Sequence, residues 1–256
     1  MKTAAIIQAR MTSTRLPGKV MADLAGKTLL ERVVERARLA TSLDLVLVAT
    51  SNHSSDDPLA SHCVARGIPC FRGSHDDVLD RYYWAAREIG AEVIVRLTAD
   101  CPLLDPAVID RVIETFRSGD FDYVSNTLQP TYPDGLDTEV FGFPALERAW
   151  KEAIFLSERE HVTPYIWKQP TLFKLGSVKQ EEDISMLRWT VDEPQDLEFV
   201  RRIYADLGPG RFHMADILAV LRAAPGLAEV NRGFVRNEGY RKSLREDGAV
   251  MKGGQP

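Results

Sequence analysis

Residues 8–19, QARMTSTRLPGK, gather Arg10, Arg15 and Lys19 with three small hydroxyl side chains and a Pro-Gly pair. A turn alone would need only Pro17 and Gly18. Guanidinium forks suit paired phosphate oxygens, an ammonium suits a point charge, and glycine lets backbone N–H groups approach an anion closely. With Ser13 and Thr14 as neutral donors, the loop has the chemistry of a polyphosphate site; a solvated basic loop would have the same composition. Neither GxxxxGK[ST] nor GxGxxG occurs in it, which disfavours the two nucleotide folds that use those loops.

Two aspartates can complement this loop. Asp100, in TADCPLLDP, directly follows an apolar run, and Pro102 bars a regular helix there. Asp192, in VDEPQDLEFV, closes another apolar run just before Glu193 and Pro194 open a helix. A carboxylate at a strand end can hold Mg²⁺, a hard cation that usually bridges protein to phosphate; each can equally cap a turn. Asp105, before Pro106, reads as a helix N-cap. Asp196 and Glu198 read as dipole or surface charges on the helix that follows Asp192. His161, Asp137 and Glu139 could touch a substrate, although helix packing and the Asp134-Gly135 turn explain them as well. Glu158 and Arg159 can pair with neighbours, and Arg72 and Arg81 can reach a base, a phosphate or a surface partner.

The elements that must position these residues alternate for half the chain. Apolar runs at 3–8, 43–50, 68–71, 92–98 and 121–127 read as strands, and amphipathic or capped stretches at 28–40, 56–67, 76–90 and 105–119 read as helices. Continuous rather than alternating apolar strands imply a mostly parallel sheet covered on both faces, a three-layer α/β architecture. Ligands of such sheets lie beyond the carboxyl ends of the strands, where the basic loop falls. After 127 the pattern changes: a loop at 128–137, then TEVFGF, helices near 144–152 and 157–168, strands near 171–177 and 187–191, and a helix at 193–207. We read 1–225 as one domain with an inserted lobe around 128–180. The charged tail, 226–256, is expected to pack loosely, to reach a partner subunit or to lose order past Asp247.

The net charge of -5 over 256 residues gives no global basic field, so nucleic acid is excluded as a partner and any anion must be held locally. The three cysteines lack metal-ligand spacing and read as inert thiols of a reducing compartment. The N-terminal apolar run is too short for a signal peptide, and no run approaches a membrane span. A cytoplasmic protein is expected.

The motifs also carry a resemblance. QARMTSTRLPGK is similar to the N-terminal signature of the sugar-acid cytidylyltransferases, with STRLPGK resembling the 3-deoxy-manno-octulosonate enzymes and, more loosely, the acylneuraminate ones. TADCPLLDP resembles the second block of that family, and VDEPQDLEFV its late VD-x-P-x-D block. DDVLDRYYWAA, EREHVTPYIW and NEGYRKSL resemble the spore-coat polysaccharide SpsF-like branch. The resemblance implies a Rossmann-like nucleotide-diphosphosugar transferase fold, CTP as donor, Mg²⁺ as cofactor and a homodimer. It implies triphosphate contacts from Arg10 and Lys19, with Ser13 and Arg15 in the same loop, and metal ligation by Asp100 and Asp192. Where the octulosonate enzymes carry an SGTER-type segment, this chain has GSHDDVLDRYY, with Arg81 in place of its arginine.

The activity expected is transfer of CMP from CTP to a sugar acid, nonulosonic or related, with release of pyrophosphate, for surface polysaccharide or glycan synthesis. Lys19 and Arg10 would stabilise the leaving pyrophosphate, and the pocket near Gln8, Ala9 and Arg72 or Arg81 would judge the base. A glycosyltransferase on the same sheet would want a D-x-D motif, and Asp134 to Asp137 has the wrong spacing. A CTP-binding subunit without turnover is the non-enzymatic alternative.

Overall fold

The computed structural model describes residues 1–234 and 236–253, and side chains through Gly248. The expected alternation is present as β1 (Thr3–Gln8), α1 (Leu29–Ala37), β4 (Leu45–Ser51), α2 (Asp57–Ala65), β5 (Cys70–Gly73), α3 (Val78–Glu88), β6 (Val93–Thr98), α4 (Pro106–Ser118) and β7 (Tyr123–Ser125). A small antiparallel hairpin, β2 (Asp23–Leu24) and β3 (Lys27–Thr28), leads into α1 and was not evident from periodicity. Local chemistry sets the helix starts. Thr28 and Glu31 form a capping box on α1, and Asp105 accepts from the Ala107 N–H at 2.8 Å ahead of Pro106. Burial of Leu29, Leu30, Val33, Val34 and Ala37 then fixes the face of α1. Each larger side chain contributes on the order of 1.5–3 kcal/mol, well beyond any difference in helix propensity.

The main sheet has seven strands in the order β5-β4-β1-β6-β8-β7-β9, where β8 is Glu139–Gly142 and β9 is Leu175–Ser177. It is mostly parallel; β8 runs antiparallel to both its neighbours. Strand β1 shows why three layers result. Ala4 and Ile6 pack into one core with α3 and α5 (Phe143–Glu152), while Ala5 and Ile7 pack into the other with α1, α4 and α8 (Pro194–Leu207). The chain steps from β1 outward to β4 and β5, then returns to place β6 on the other side of β1. That reversal opens a crevice beyond the ends of β1 and β6, where Gln8 and Thr98 stand side by side in register.

Three details differ from the expectation. The helix foreseen at 157–168 is two short helices, α6 (Leu156–His161) and α7 (Pro164–Trp167), broken at Val162, whose φ is 71°. Pro164 cannot continue the hydrogen-bond ladder, and a β-branched residue in that region of φ is strained. The run 187–191 is not a strand of the sheet. It lies against the 134–137 turn through one isolated bridge, Asp134 with Arg188, and buries Trp189 completely. Gly135, at φ +113°, allows this approach: a Cβ there would lie 2.6 Å from the Trp189 carbonyl carbon. The tail is not loose over its described length. After α9 (Met214–Ala223) it forms α10 (Glu238–Gly253), which packs on α6; residues 254–256 lie outside the described residues. Among the described residues no helix is long and apolar enough to cross a membrane.

Candidate active site

The basic loop is anchored at both ends by backbone groups. At its start the Met11 N–H donates to Asp56 Oδ1 at 2.7 Å. Asp56 is fully buried and also receives the Ser51 hydroxyl. Burial alone would raise its pKa; these donors outweigh it and hold the carboxyl below its ordinary value. At the other end the Gly18 N–H returns to the Met11 carbonyl at 3.0 Å, with Gly18 at φ +70°. The loop is thereby pinched shut, and Lys19 turns back under it.

Lys19 is the centre of the site. Its Nζ donates to Asp100 Oδ2 at 2.9 Å, to Asp192 Oδ1 at 2.8 Å and to the Val191 carbonyl at 2.7 Å, one acceptor for each ammonium proton. Burial works to lower its pKa, but the two carboxylates prevail and raise it. Asp100 shows the converse: burial pushes its pKa up, and the Lys19 ammonium and the Thr98 hydroxyl bring it down to about 2. The residues that the sequence placed at two distant strand ends therefore share one cation. Asp192 also meets Arg15 at 2.9 Å and Arg188 at 3.3 Å.

Asp192 is held from below by residues that sequence reading misplaced. Asp196 is not a surface charge: it is completely buried, grips Arg188 Nε and Nη2 at 2.8 and 2.9 Å, and accepts from the N–H groups of Asp192 and Glu193 at 2.9 Å. Asn231 donates to the same carboxylate at 2.9 Å. The signal for Asp196 was its place in the first turn after Asp192, where its carboxylate can accept from the N–H groups of Asp192 and Glu193. Nothing in the spacing singled out Arg188 or Asp56.

Two adjoining cavities open on this centre. The first, about 650 Å³, is lined by Arg10, Arg15, Lys19, Arg81 and Asp100 and by α10 residues. The second, about 490 Å³, is lined by Asp134, Asp137, Glu139, Arg96, Trp167 and Tyr240. Gln8 and His161 line both. Arg10 is half exposed, 3.9 Å from Glu160. The Ser13 hydroxyl accepts the Leu16 N–H within the loop. Ala9 is buried, its N–H on the Ala49 carbonyl at 3.1 Å. The Gln8 side-chain oxygen is buried without a hydrogen-bond partner among the described residues. Arg81, foreseen at the nucleotide, lines the first cavity and donates through Nε and Nη2 to the carbonyls of Ser74 and His75, so it also shapes the cavity wall through the backbone.

In the second cavity Glu139 is already engaged by Arg96, by the Tyr123 hydroxyl at 2.6 Å and by the Thr163 hydroxyl at 2.5 Å. Asp137 pairs with Arg236. Desolvation in the cavity floor and the nearby Asp134 and Glu139 charges overcome that pairing and push Asp137 up to about 7. His161 is held down to about 4, first by burial and then by Arg96, against the pull of Glu160 and Glu139. Cys101 is buried, and its thiol is raised by burial and by Asp100, as suits an inert cysteine.

Comparisons with known proteins identify the family. Residues 4–218 match the family model described as cytidylyltransferase. The chain is 37% identical over 244 residues to the uncharacterized protein MJ1063 of Methanocaldococcus jannaschii, covering 94% of this chain and 99% of that one. It is 35% identical over 212 residues to the spore coat polysaccharide biosynthesis protein SpsF of Bacillus subtilis, covering 79% and 86%. The structure of a cytidylyltransferase from Leptospira borgpetersenii superposes with a TM-score of 0.86 at 32% identity, covering 92% of this chain and all of that one. A Rossmann-like sheet with a cationic loop and two aspartates at the crevice beyond β1 and β6 thus comes with family-wide similarity along most of the chain: this protein belongs to the cytidylyltransferase family of nucleotidyltransferases.

Proposed function

We propose that this enzyme transfers CMP from CTP to a hydroxyl group of a sugar acid for polysaccharide or glycan synthesis. The observation that carries the reading is Lys19, which lines the first cavity beneath the arginine-bearing loop and is held between Asp100 and Asp192, the two carboxylates that line both cavities. The first cavity would take the nucleotide and the second the acceptor. The acceptor oxygen bonds to the α-phosphorus, the bond from that phosphorus to the bridging oxygen breaks, and pyrophosphate leaves; the hydroxyl proton passes to solvent water. Such a transfer needs alignment and charge neutralisation rather than a protein nucleophile. Arg10, Arg15 and Lys19 would bind the triphosphate and stabilise charge as it grows on the leaving group.

The donors present fit Mg²⁺. Asp100 and Asp192 are hard oxygen ligands close to one point, and among the described residues no third His, Cys, Asp or Glu joins them. That suits an ion that keeps water and binds phosphate for its remaining positions. Bound there, it would neutralise phosphate charge and acidify an acceptor hydroxyl. Lys19 and Arg15 together offset the charge of the two carboxylates.

Charge orders the acceptor. Asp134 and Asp137 would receive its hydroxyls, and a carboxylate would be directed away from them toward Arg15 or Arg10. The buried Gln8 oxygen would accept from the amino group of cytosine, whereas uracil would set a carbonyl against it. A glycosyltransferase reading finds less support, because Asp137 of the Asp134–Asp137 turn is engaged by Arg236 and the spacing is not D-x-D. Pyrophosphate release with CTP, Mg²⁺ and a panel of sugar acids tests the proposal and names the acceptor. No release with any acid, alongside release with a neutral polyol, would replace the acceptor class.

A further inference from the structure

The match to the family model ends at residue 218, yet the first cavity is completed by residues beyond that point. The chain returns to the site in steps. Asn231 is buried, with its side-chain N–H groups on the Arg188 carbonyl and on Asp196 at 2.9 Å, so the tail is fixed to the network that supports Asp192. Arg236 pairs with Asp137 and donates to the Tyr132 carbonyl at 3.1 Å. Then α10 begins and lies along α6. Ser243 donates to Glu160 at 2.6 Å and lies 3.1 Å from His161 Nε2. Asp247 accepts the Ser157 N–H at 3.0 Å. The Tyr240 ring packs edge-on to His161 and Trp167. This docking turns Glu238, Lys242 and Arg245 toward the cavity that also holds Arg10, Arg15 and Lys19.

Glu238 is the informative residue. Its carboxylate takes Arg15 Nη1 at 2.7 Å, while Asp192 and Glu193 take Nη2 and Nε of the same guanidinium at 2.9 and 3.4 Å. Asp192 and Glu193 are neighbours in sequence and belong to the site's own floor. Glu238 arrives from 223 residues away and from the solvent side, with more than half of its side chain exposed. A carboxylate on the outer edge of a cationic loop sits where an incoming anion would meet that loop. One and two turns further along the same helix, Lys242 and Arg245 present charge of the opposite sign to the same space, with Glu246 3.9 Å from the Lys242 ammonium.

We propose that α10 is a nucleotide-responsive wall of the triphosphate site: Lys242 and Arg245 bind the phosphates, and Glu238 occupies Arg15 when no nucleotide is bound. This rests on the reading of the first cavity as a triphosphate site. The first residue of the helix and the two cations in its following turns then act with opposite sign. Removing the Glu238 charge makes Arg15 available and strengthens anion binding. Removing the two cations weakens it.

The test is calorimetric titration of the full chain and its variants with inorganic tripolyphosphate, and in parallel with CTP and UTP, at one ionic strength with Mg²⁺ present. Lys242→Ala combined with Arg245→Ala should weaken tripolyphosphate and CTP by about tenfold or more, the scale of losing charge-assisted phosphate contacts. Glu238→Gln should tighten both by about two- to fivefold, the scale of one exposed ion pair. Damage to the fold would weaken binding in every variant, so the opposite signs identify the mechanism. Affinity within about twofold of wild type for the double variant, weaker binding by Glu238→Gln, or no tripolyphosphate binding by the wild-type chain would each overturn the inference. The two readings fail separately. Opposite shifts for tripolyphosphate with no preference for CTP over UTP would reject the cytidylyl assignment and keep the wall. A CTP preference that the α10 variants leave untouched would do the reverse.

Discussion

Lys19 illustrates how one side chain can hold a site together and, in the proposed reaction, also serve its chemistry. Its three protons are all engaged, and its charge is the counterion for Asp100 and Asp192. Lys19→Ala should therefore lower kcat by more than it raises the KM for CTP, because negative charge grows on the leaving pyrophosphate as the transition state forms. A change confined to KM would make it a uniform binder. Asp100→Asn and Asp192→Asn should each lower turnover by about two orders of magnitude or more while the chain still folds, as judged by circular dichroism and pyrophosphate release. Asp196 belongs to another class. It is the buried partner of Arg188, so Asp196→Asn should cost about 3–5 kcal/mol in denaturant unfolding, against near zero for the exposed Glu198→Gln. Equal small losses at both positions would contradict the buried network.

At the scale of elements, the site depends on two segments that are neither strand nor helix. The 187–192 run carries Asp192, and it is held in place by the 134–137 turn through the Asp134 N–H on the Leu187 carbonyl at 2.9 Å and the Trp189 N–H on the Asp134 carbonyl at 2.6 Å. Gly135→Ala adds a methyl group against the Trp189 backbone at a positive φ, and should cost about 1–3 kcal/mol or more. Because the displaced backbone carries Asp192, activity should fall further than stability alone predicts. Comparison of turnover with thermal unfolding of the same variant checks this. A fully active Gly135→Ala protein would show that the turn does not position Asp192.

At the scale of the whole molecule, acid stability reports how α6 and α10 meet. His161 faces Arg96 from β6, Glu139 from β8, Arg10 from the loop, Glu160 from its own helix and Ser243 from α10. The unfolded chain binds a proton there below its ordinary value of 6.5; the folded chain does so only below about 4. Between those values the unfolded state holds more protons, so this group makes stability fall as pH drops from 6.5 to 4. Asp137 has the opposite sense. Its carboxyl is raised to about 7 from 3.8 in the folded state, so the stability it contributes is lost as pH rises through that range. His161→Gln should remove the acid-side loss, and Asp137→Asn should remove the alkaline-side one, in unfolding curves taken across pH. Unchanged pH profiles in both would refute these environments.

The amino-acid sequence determined the three-layer plan and the ends of the strands that matter. Apolar runs without alternation can be satisfied only by a sheet covered on both faces, and capping residues mark where helices begin. It also determined which charged residues lie just beyond β1 and β6 and within the late VD-x-P-x-D block, because each follows an apolar run. Tertiary structure alone decided that Lys19 would join Asp100 to Asp192, since their separation in the chain carries no information about distance across a crevice. It decided that Asp196 is buried, that Arg81 faces backbone carbonyls, and that the charged tail returns to the cavity as α10. Charge pattern gives the same signal for a solvated helix as for one that lies over a site. Which of the two it becomes depends on what the rest of the fold leaves exposed beside it.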